Sequence, residues 1–196
     1  MKKLWAYFCA AAVLLCGCEQ KEQPQQDTDD AAASMTGEMV IAAPEEGFDM
    51  NYANCIRDYF EAIEQKQFEG YKKTVYPPYQ EAFGTYLESN DSSLEEVFHT
   101  LCTEFDEDGY DSWHLTRLEV GYRENEDIDN FFSTYESAGL FDAEFSDAAR
   151  EDAAEIRDVE FTLYALYEGD EEAVPVVQKQ EMIVIRTKDD KYYLFG

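Results

Sequence analysis

The spacing of apolar residues changes near Ile156, and this change is the strongest constraint on the fold. Upstream of it, apolar residues recur at roughly every third or fourth position, which is the period of an amphipathic helix. Downstream, Val159, Phe161 and Leu163 alternate with polar residues, as in a strand that buries one face. Helices followed by strands predict an α+β fold, in which N-terminal helices pack on a curved antiparallel sheet.

The first part of the chain contains the predicted helices. The clearest of them begins after Ser92 and Ser93, which have capping-box spacing to Glu95 and Glu96. The sequence Tyr76-Pro77-Pro78 separates the first helix from the second, because proline ends a helix. The predicted helices cover about residues 52–66, 79–87, 94–105 and 128–138, with a short helix or turn at 146–155.

One strand is predicted between the helices, and three more lie at the end of the chain. The isolated strand runs from Trp113 to Arg123, and the later strands cover about 156–167, 174–187 and 192–195. The links between the last three strands are short turns, which predict an antiparallel meander. The sheet should therefore have about four strands.

The start of the chain has the features of an export signal. Lys2 and Lys3 precede an uncharged stretch, residues 4–15, that is too short to span a membrane. The next residues, Leu15-Cys16-Gly17-Cys18, resemble the lipobox of bacterial lipoproteins. The resemblance implies cleavage before Cys18, two acyl chains on that cysteine, and a membrane-anchored protein that faces outside the cytoplasm. An ordinary signal peptide with a chance cysteine is the alternative.

Composition divides the rest of the chain into a tether and one domain. Residues 19–47 are rich in Gln, Glu, Asp and Ala and almost lack aromatic residues. Such a segment cannot bury enough apolar surface to offset the entropy of ordering it, so we expect a flexible acidic tether. Residues 48–196 are rich in Tyr and Phe and are predicted to form a single α+β domain.

The formal net charge of −29 limits the partners of this chain. It repels nucleic acid and anionic membrane surfaces, so no nucleic-acid function is expected and membrane contact should run through the lipid anchor. Neither a cofactor nor a metal site is predicted. The stretch from Glu104 to Gly109 resembles part of a calcium-binding EF-hand loop, but Leu115 stands where the bidentate glutamate is required. His99 and His114 are not spaced as zinc ligands.

Two cysteines remain after removal of residues 1–18, and these are Cys55 and Cys102. Both lie on apolar faces of predicted helices, and an even pair in an oxidising compartment predicts a disulfide. The closed loop of about 48 residues would stabilise the domain by roughly 4 kcal/mol. Two buried, inert thiols are the alternative.

The order of elements resembles the nuclear transport factor two-like, or cystatin-like, cone. The opening Tyr59-Phe60-Glu61-Ala62-Ile63-Glu64 stretch and the closing hairpins carry this resemblance, which covers about residues 52–196. It implies a curved sheet that wraps around a long helix. Proteins with this fold include enzymes, ligand binders and dimerisation modules, so the fold alone does not define the function.

A reaction inside the cone would use an acidic residue in an apolar pocket, where burial raises the pKa of a carboxyl group. Asp158 and Glu160 lie on a predicted strand and are the candidate carboxylates, with Trp113, Tyr122 and Tyr164 as candidate pocket residues. Solvated alternation for the acids and core packing for the aromatic residues are the alternatives.

Three functions fit these features. The first is a non-enzymatic module, anchored to the membrane, that binds an unknown ligand or protein partner. The second is a small-molecule enzyme of the isomerase or hydratase kind that uses a carboxylate in the cone pocket. The third is a structural domain that forms a homodimer through its sheet face, for which an exposed apolar face would be the sign.

Overall fold

The structure is a computed structural model that describes residues 38–42, 46–106, 112–123 and 127–195. The predicted signal peptide, Cys18, most of the tether and the centre of the acidic loop at 104–115 lie outside the described residues. The described part contains six helices and five strands. In chain order they are β1 Val40–Ile41, α1 Met50–Glu64, α2 Phe68–Thr74, α3 Pro77–Ser89, α4 Leu94–Leu101, β2 Trp113–Tyr122, α5 Ile128–Ser137, α6 Ala143–Asp152, β3 Ala153–Tyr167, β4 Val174–Thr187 and β5 Tyr192–Leu194.

The strands form one curled sheet in the order β1-β2-β3-β4-β5. The pairs from β2 to β5 are antiparallel, whereas β1 is parallel to β2. The predicted α+β class is therefore confirmed, but the sheet is mixed and has five strands instead of four. The added strand is β1, in which Val40 pairs with Arg117 and the preceding Met39 is buried. Residues 38–42, assigned above to the tether, thus belong to the folded part.

Helix α1 lies against the sheet and organises the core. Asp49 caps its first turn by accepting a hydrogen bond from the Asn51 backbone N–H at 3.0 Å. Tyr52, Ile56 and Ile63 recur at helical spacing and are buried. The helix contacts β1 and β2 at one edge of the sheet and β5 at the other, so the curled sheet wraps around it.

Aromatic side chains fill the space between α1 and the sheet. The Phe60 ring lies 5.3 Å from Phe161 on β3 and 5.1 Å from Tyr59, measured between ring centroids. Leu118 and Leu163, which face each other on β2 and β3, have no exposed surface. Buried side chains therefore fill the interior between α1 and the sheet.

The opposite face of the sheet is also covered near β4 and β5. Ile183, Val184 and Ile185 are consecutive and all buried, so both faces of β4 are shielded there. Phe195, which follows β5, lies 5.6 Å from Phe132 and 6.5 Å from Phe145, measured between ring centroids. Helices α5 and α6 thus pack against the end of the sheet. Without them, the outer face of the sheet there would be exposed to water.

The predicted disulfide is absent from the structure, in which Cys55 and Cys102 are free, buried thiols. The Cys55 thiol lies 3.9 Å from the Thr74 carbonyl oxygen, whereas Cys102 lies near the charge of Lys66. The prediction assumed that α4 packs on α1, but its main contacts are with α2 and α3.

Candidate functional site: a cleft beside the last hairpin

The five candidate pocket residues do not meet. The inner face of the sheet, which faces α1, is defined on β3 by Val159, Phe161 and Leu163. Trp113 pairs with Tyr167 and Tyr122 pairs with Val159, so both lie on the inner face. They stand at opposite ends of β2, which places them roughly 30 Å apart along the strand.

The other candidates lie on the outer face, opposite the core. Asp158, Glu160 and Tyr164 alternate with the inner residues of β3. The Tyr164 hydroxyl donates to Glu119 at 3.2 Å, and the Arg117 guanidinium lies 3.8 Å from the centre of the Tyr164 ring. These side chains therefore form cross-strand contacts on the outside of the sheet and do not line a cone pocket.

Asp158 is buried although it lies on the outer face. Arg123 donates to its Oδ2 atom at 3.1 Å and also lies 2.9 Å from a carboxylate oxygen of Glu181. Glu160 pairs with Glu181 across the strands, which places two like charges side by side. Burial raises the pKa of Glu181 and the charges of Asp158 and Glu160 add to this shift, while Arg123 opposes it.

Trp113 and His114 hold the start of β2 in place. The Trp113 indole N–H donates to an oxygen of Asp106 at 2.8 Å. His114 Nδ1 is hydrogen-bonded to Glu64 at the end of α1, and the Leu115 backbone N–H donates to the same oxygen at 3.3 Å. These contacts join α1 to β2. His99, in contrast, is exposed on α4.

At one end of the inner face, polar groups close the core. The Tyr52 hydroxyl donates to Glu155 Oε2 at 2.8 Å. Arg157 donates to Glu155 Oε1 through Nε at 2.8 Å, and Arg186 reaches Oε2 at 3.4 Å. The Tyr122 ring lies beneath the Arg157 guanidinium, 4.9 Å from its centre. Both carboxylate oxygens of Glu155 are thus bonded, and this end of the core is shut.

An open cleft of about 430 Å³ lies beside the hairpin formed by β4 and β5. It runs between the start of α3, the end of α6 and the turn that joins β4 to β5. We refer to it as the cleft. Its lining residues are Tyr76, Pro77, Pro78, Asp152, Thr187, Lys188, Asp189, Lys191 and Tyr193.

Local sequence fixes both walls of the cleft. Tyr76 precedes α3, and the prolines that follow it suit the first turn of a helix because their missing N–H groups would be unpaired there. The Tyr76 N–H donates to the Leu194 carbonyl oxygen at 2.8 Å, which ties this wall to β5. The opposite wall is a tight turn in which the Asp190 N–H donates to the Thr187 carbonyl oxygen at 2.9 Å.

The floor of the cleft combines rings and carboxylates. The buried Tyr76 hydroxyl donates to Asp152 Oδ2 at 2.9 Å, and the Tyr193 ring lies 6.1 Å from the Tyr76 ring between centroids. Burial raises the pKa of Tyr76, and the hydrogen bond to Asp152 adds to this shift. Tyr76 therefore stays a neutral donor to a charged acceptor.

Charges of both signs line the cleft. The Lys191 ammonium lies 2.6 Å from an oxygen of Asp189. This hydrogen bond raises the pKa of Lys191 and lowers the pKa of Asp189. With Lys188 and Asp152, the lining contains two lysines and two aspartates, so its formal charge balances in a chain of net charge −29.

A second depression, of about 240 Å³, lies between α1 and α2. Asp58, Glu61 and Lys73 are among its lining residues, together with small and amide side chains. Gly70 stands at the contact of the two helices, where an added Cβ would lie 3.3 Å from the Ala62 Cβ. The depression is therefore the seam between two packed helices, and it lacks the ring surfaces of the cleft.

Sequence reasoning did not find the cleft, although it identified both of its walls. Tyr76-Pro77-Pro78 was interpreted as a helix break and residues 188–191 as a turn. The missing information was the pairing of Val75 and Tyr76 with Leu194, which joins segments more than a hundred residues apart in the chain. No local pattern encodes such a contact.

Comparison with known proteins gives no relative: no protein-family model, no curated protein and no solved structure matches this chain. Among the described residues, no group of three or more His, Cys, Asp and Glu side chains is arranged to hold a metal ion. Within the same part of the chain, no helix has the length and hydropathy to cross a membrane.

Proposed function

We propose that this protein is a lipid-anchored extracytoplasmic module of the cystatin-like cone type that binds a ligand in the cleft and catalyses no reaction. Cys18 is its anchor, residues up to about 37 are its tether, and the curled sheet with its helices is the binding domain. The membrane contact runs through the lipid alone, since the acidic surface repels anionic headgroups.

The observation that carries this proposal is the contrast between a filled interior and an open cleft. In the described part, Phe60, Phe161 and Tyr59 occupy the space where a cone enzyme would hold its substrate. The candidate carboxylates Asp158 and Glu160 lie on the outer face, away from that space. Open volume with convergent ring and polar groups lies in the cleft instead.

The anchoring step rests on the first residues of the chain. Leu15, Gly17 and Cys18 carry the resemblance to a lipobox, and Cys16 lies within the same stretch but is not the cysteine expected to be acylated. The chain therefore offers its own control, because two thiols in the same segment differ in their expected role.

The test replaces each cysteine with serine in the full-length protein. Cells are grown with an alkyne-tagged fatty acid, and the protein is then examined for label, for membrane association and for the mass of its N-terminal peptide. We expect Cys18→Ser to lose the label and to retain the uncleaved signal segment. Cys16→Ser should be labelled and cleaved like the wild type.

Equal labelling of wild type and Cys18→Ser would overturn the anchoring proposal. So would a mature N-terminus other than Cys18 in wild-type protein. Loss of label in both variants would also contradict the proposal, since it would show that the segment does not act as the lipobox pattern implies.

A further inference from the structure

We propose that the cleft binds a neutral carbohydrate chain. This inference rests on the proposed function, which places the ligand site in the cleft, and it adds the chemical class of the ligand. Four features of the molecule support this class of ligand: the ring surfaces of the cleft, its hydrogen-bonding groups, the charge of the whole chain and the shape of the cleft.

The ring surfaces suit the flat face of a sugar. Pro77 and Pro78 are exposed at the start of α3 and have no backbone N–H, so their side of the cleft is an apolar wall. The Tyr193 ring is half-buried on the opposite side, with Tyr76 beneath. A pyranose ring presents C–H groups on one face, and aromatic rings attract such groups through their negative π faces.

The polar groups of the cleft suit hydroxyls, which donate and accept at the same atom. Lys188 and Lys191 supply N–H donors at the rim and Asp152 supplies an acceptor, while both oxygens of Asp189 already accept from Lys191 and Thr187. Tyr76 bonds Asp152 Oδ2, and no described residue donates to its Oδ1 atom. The Tyr76 hydrogen bond holds the carboxylate in a fixed orientation, which reduces the ordering cost of binding.

Electrostatics favours a neutral carbohydrate over anionic, cationic and apolar ligands. The net charge of −29 opposes nucleic acids, polyphosphates and acidic polysaccharides. An organic cation would be attracted by the same field, but the cleft itself carries two lysines and two aspartates and so adds no net attraction for a cation. An apolar ligand would leave the charged rim without partners as it displaced water. A neutral chain of hydroxylated rings avoids each of these costs.

The shape of the cleft agrees with this class. Its volume of about 430 Å³ is within the range for small-ligand sites, and the cleft is open to solvent. An open site accepts the middle of a long chain as well as its end. A closed pocket would accept a free sugar only.

The experiment uses the full-length lipidated protein in phosphatidylcholine vesicles. Fluorescent dextran, mannan, galactomannan and a soluble β-glucan are mixed with the vesicles separately, and the polysaccharide that sediments with them is measured. Vesicles without protein give the background, and labelled polygalacturonate tests the effect of negative charge. We expect at least one neutral polysaccharide to sediment with the protein well above background.

Variants test whether the cleft is the site. Tyr193→Ala should weaken binding by roughly tenfold, as expected for an aromatic contact at the centre of a binding site. Asp152→Asn should weaken it less, since the amide still accepts one hydrogen bond. The matched control is Tyr164→Ala, which removes a half-buried tyrosine on the outer face and should bind like the wild type. Circular dichroism confirms that each variant is folded.

Three results would overturn the inference. The first is that none of the four neutral polysaccharides sediments above background. The second is that polygalacturonate binds more tightly than all of them, and the third is that Tyr164→Ala loses as much binding as Tyr193→Ala. If Tyr193→Ala fails to fold, unchanged binding by folded Asp152→Asn and Lys188→Ala together would have the same meaning. Failure here leaves the fatty-acid labelling of Cys18 untouched, so it is distinct from failure of the anchoring proposal.

Discussion

A tyrosine hydroxyl that donates to a carboxylate occurs at two places in this molecule, and the two pairs have different environments. At the closed end of the core, the Tyr52 hydroxyl donates to Glu155 at 2.8 Å. In the cleft, the Tyr76 hydroxyl donates to Asp152 at 2.9 Å. Arg157 and Arg186 also bond Glu155, whereas no described arginine or lysine forms an ion pair with Asp152.

The difference shows what a buried tyrosine that donates to a more exposed carboxylate can be used for. Two guanidinium groups complete the hydrogen bonding of Glu155, so this pair contributes to the stability of the closed end. The Asp152 pair is left with acceptor capacity that faces open volume. Groups of the same kind thus stabilise one region and stay available for a ligand in the other, and the direct ion pairs with arginine separate the two cases.

The largest expected effect contrasts the filled interior with the cleft. Phe60→Ala should lower the free energy of unfolding by about 3–5 kcal/mol, because it leaves a cavity among packed rings. Tyr193→Ala should lower it by less than about 2 kcal/mol, since that ring is half-buried beside open space. Urea unfolding monitored by circular dichroism measures both values. Equal losses would contradict the distinction between a core region and an open cleft.

A smaller effect separates the two carboxylates. Glu155→Gln should cost about 1–2 kcal/mol of stability, because two arginines lose their charged partner at a site that is 31% exposed. Asp152→Asn changes the same chemical group but should cost less than about 0.5 kcal/mol, as is usual for exposed positions. Both amides keep the size of the side chain. A larger loss for Asp152→Asn would mean that the cleft pair is the structural one.

The effect of pH on Asp49 is smaller again. Burial alone would raise its pKa, but hydrogen bonds from the Asn51 backbone and the Tyr192 hydroxyl lower it below 3.8. A group with a lowered pKa in the folded state stabilises the protein above its unfolded pKa, and this contribution is lost as pH falls. Asp49→Asn keeps the helix cap but removes the titration.

The comparison to make is therefore wild type against Asp49→Asn across the acidic range. The wild type should be more stable by about 0.5 kcal/mol or less near pH 6, given the exposure of this cap. The difference should shrink as the pH falls below the usual aspartate pKa of 3.8 and through the lowered pKa of Asp49. A difference that grows with acidity would show that the Asp49 pKa is raised instead of lowered.

Local patterns predicted most of the elements of this fold. The Ser93–Glu96 capping box precedes α4, where the Ser93 hydroxyl accepts from the Glu96 N–H at 3.2 Å. The alternation from Val159 onward gave the correct inner and outer faces of β3. The predicted bounds of the next strand, 174–187, agree with β4, Val174–Thr187. These signals are short in sequence, and each is satisfied by a few neighbouring residues.

The errors concern contacts between distant segments. Strand β1 has only two residues, so it shows no periodic spacing of apolar residues. It forms because Val40 pairs with a residue of β2 at the edge of the sheet. The candidate pocket failed for a similar reason. Trp113 and Tyr122 share a face but lie at opposite ends of the strand, whereas Asp158 lies near the Tyr122 end but on the outer face. The composition of a pocket does not reveal which elements bring its residues together.

For the two cysteines we expect no effect at all: reduction should not change the stability of the protein. Burial raises the pKa of Cys55 to about 12, so its thiol should stay protonated and unreactive in the folded protein. Both thiols should react with a maleimide in urea but not in buffer, in protein purified without a reducing agent from the native membrane. Reduction should then leave the urea midpoint unchanged. A bridge between Cys55 and Cys102 would instead block labelling in urea, and its reduction would remove roughly 4 kcal/mol of stability. That result would mean that α4 packs close to Cys55 in the exported protein, and the helix arrangement beside the filled interior would have to change.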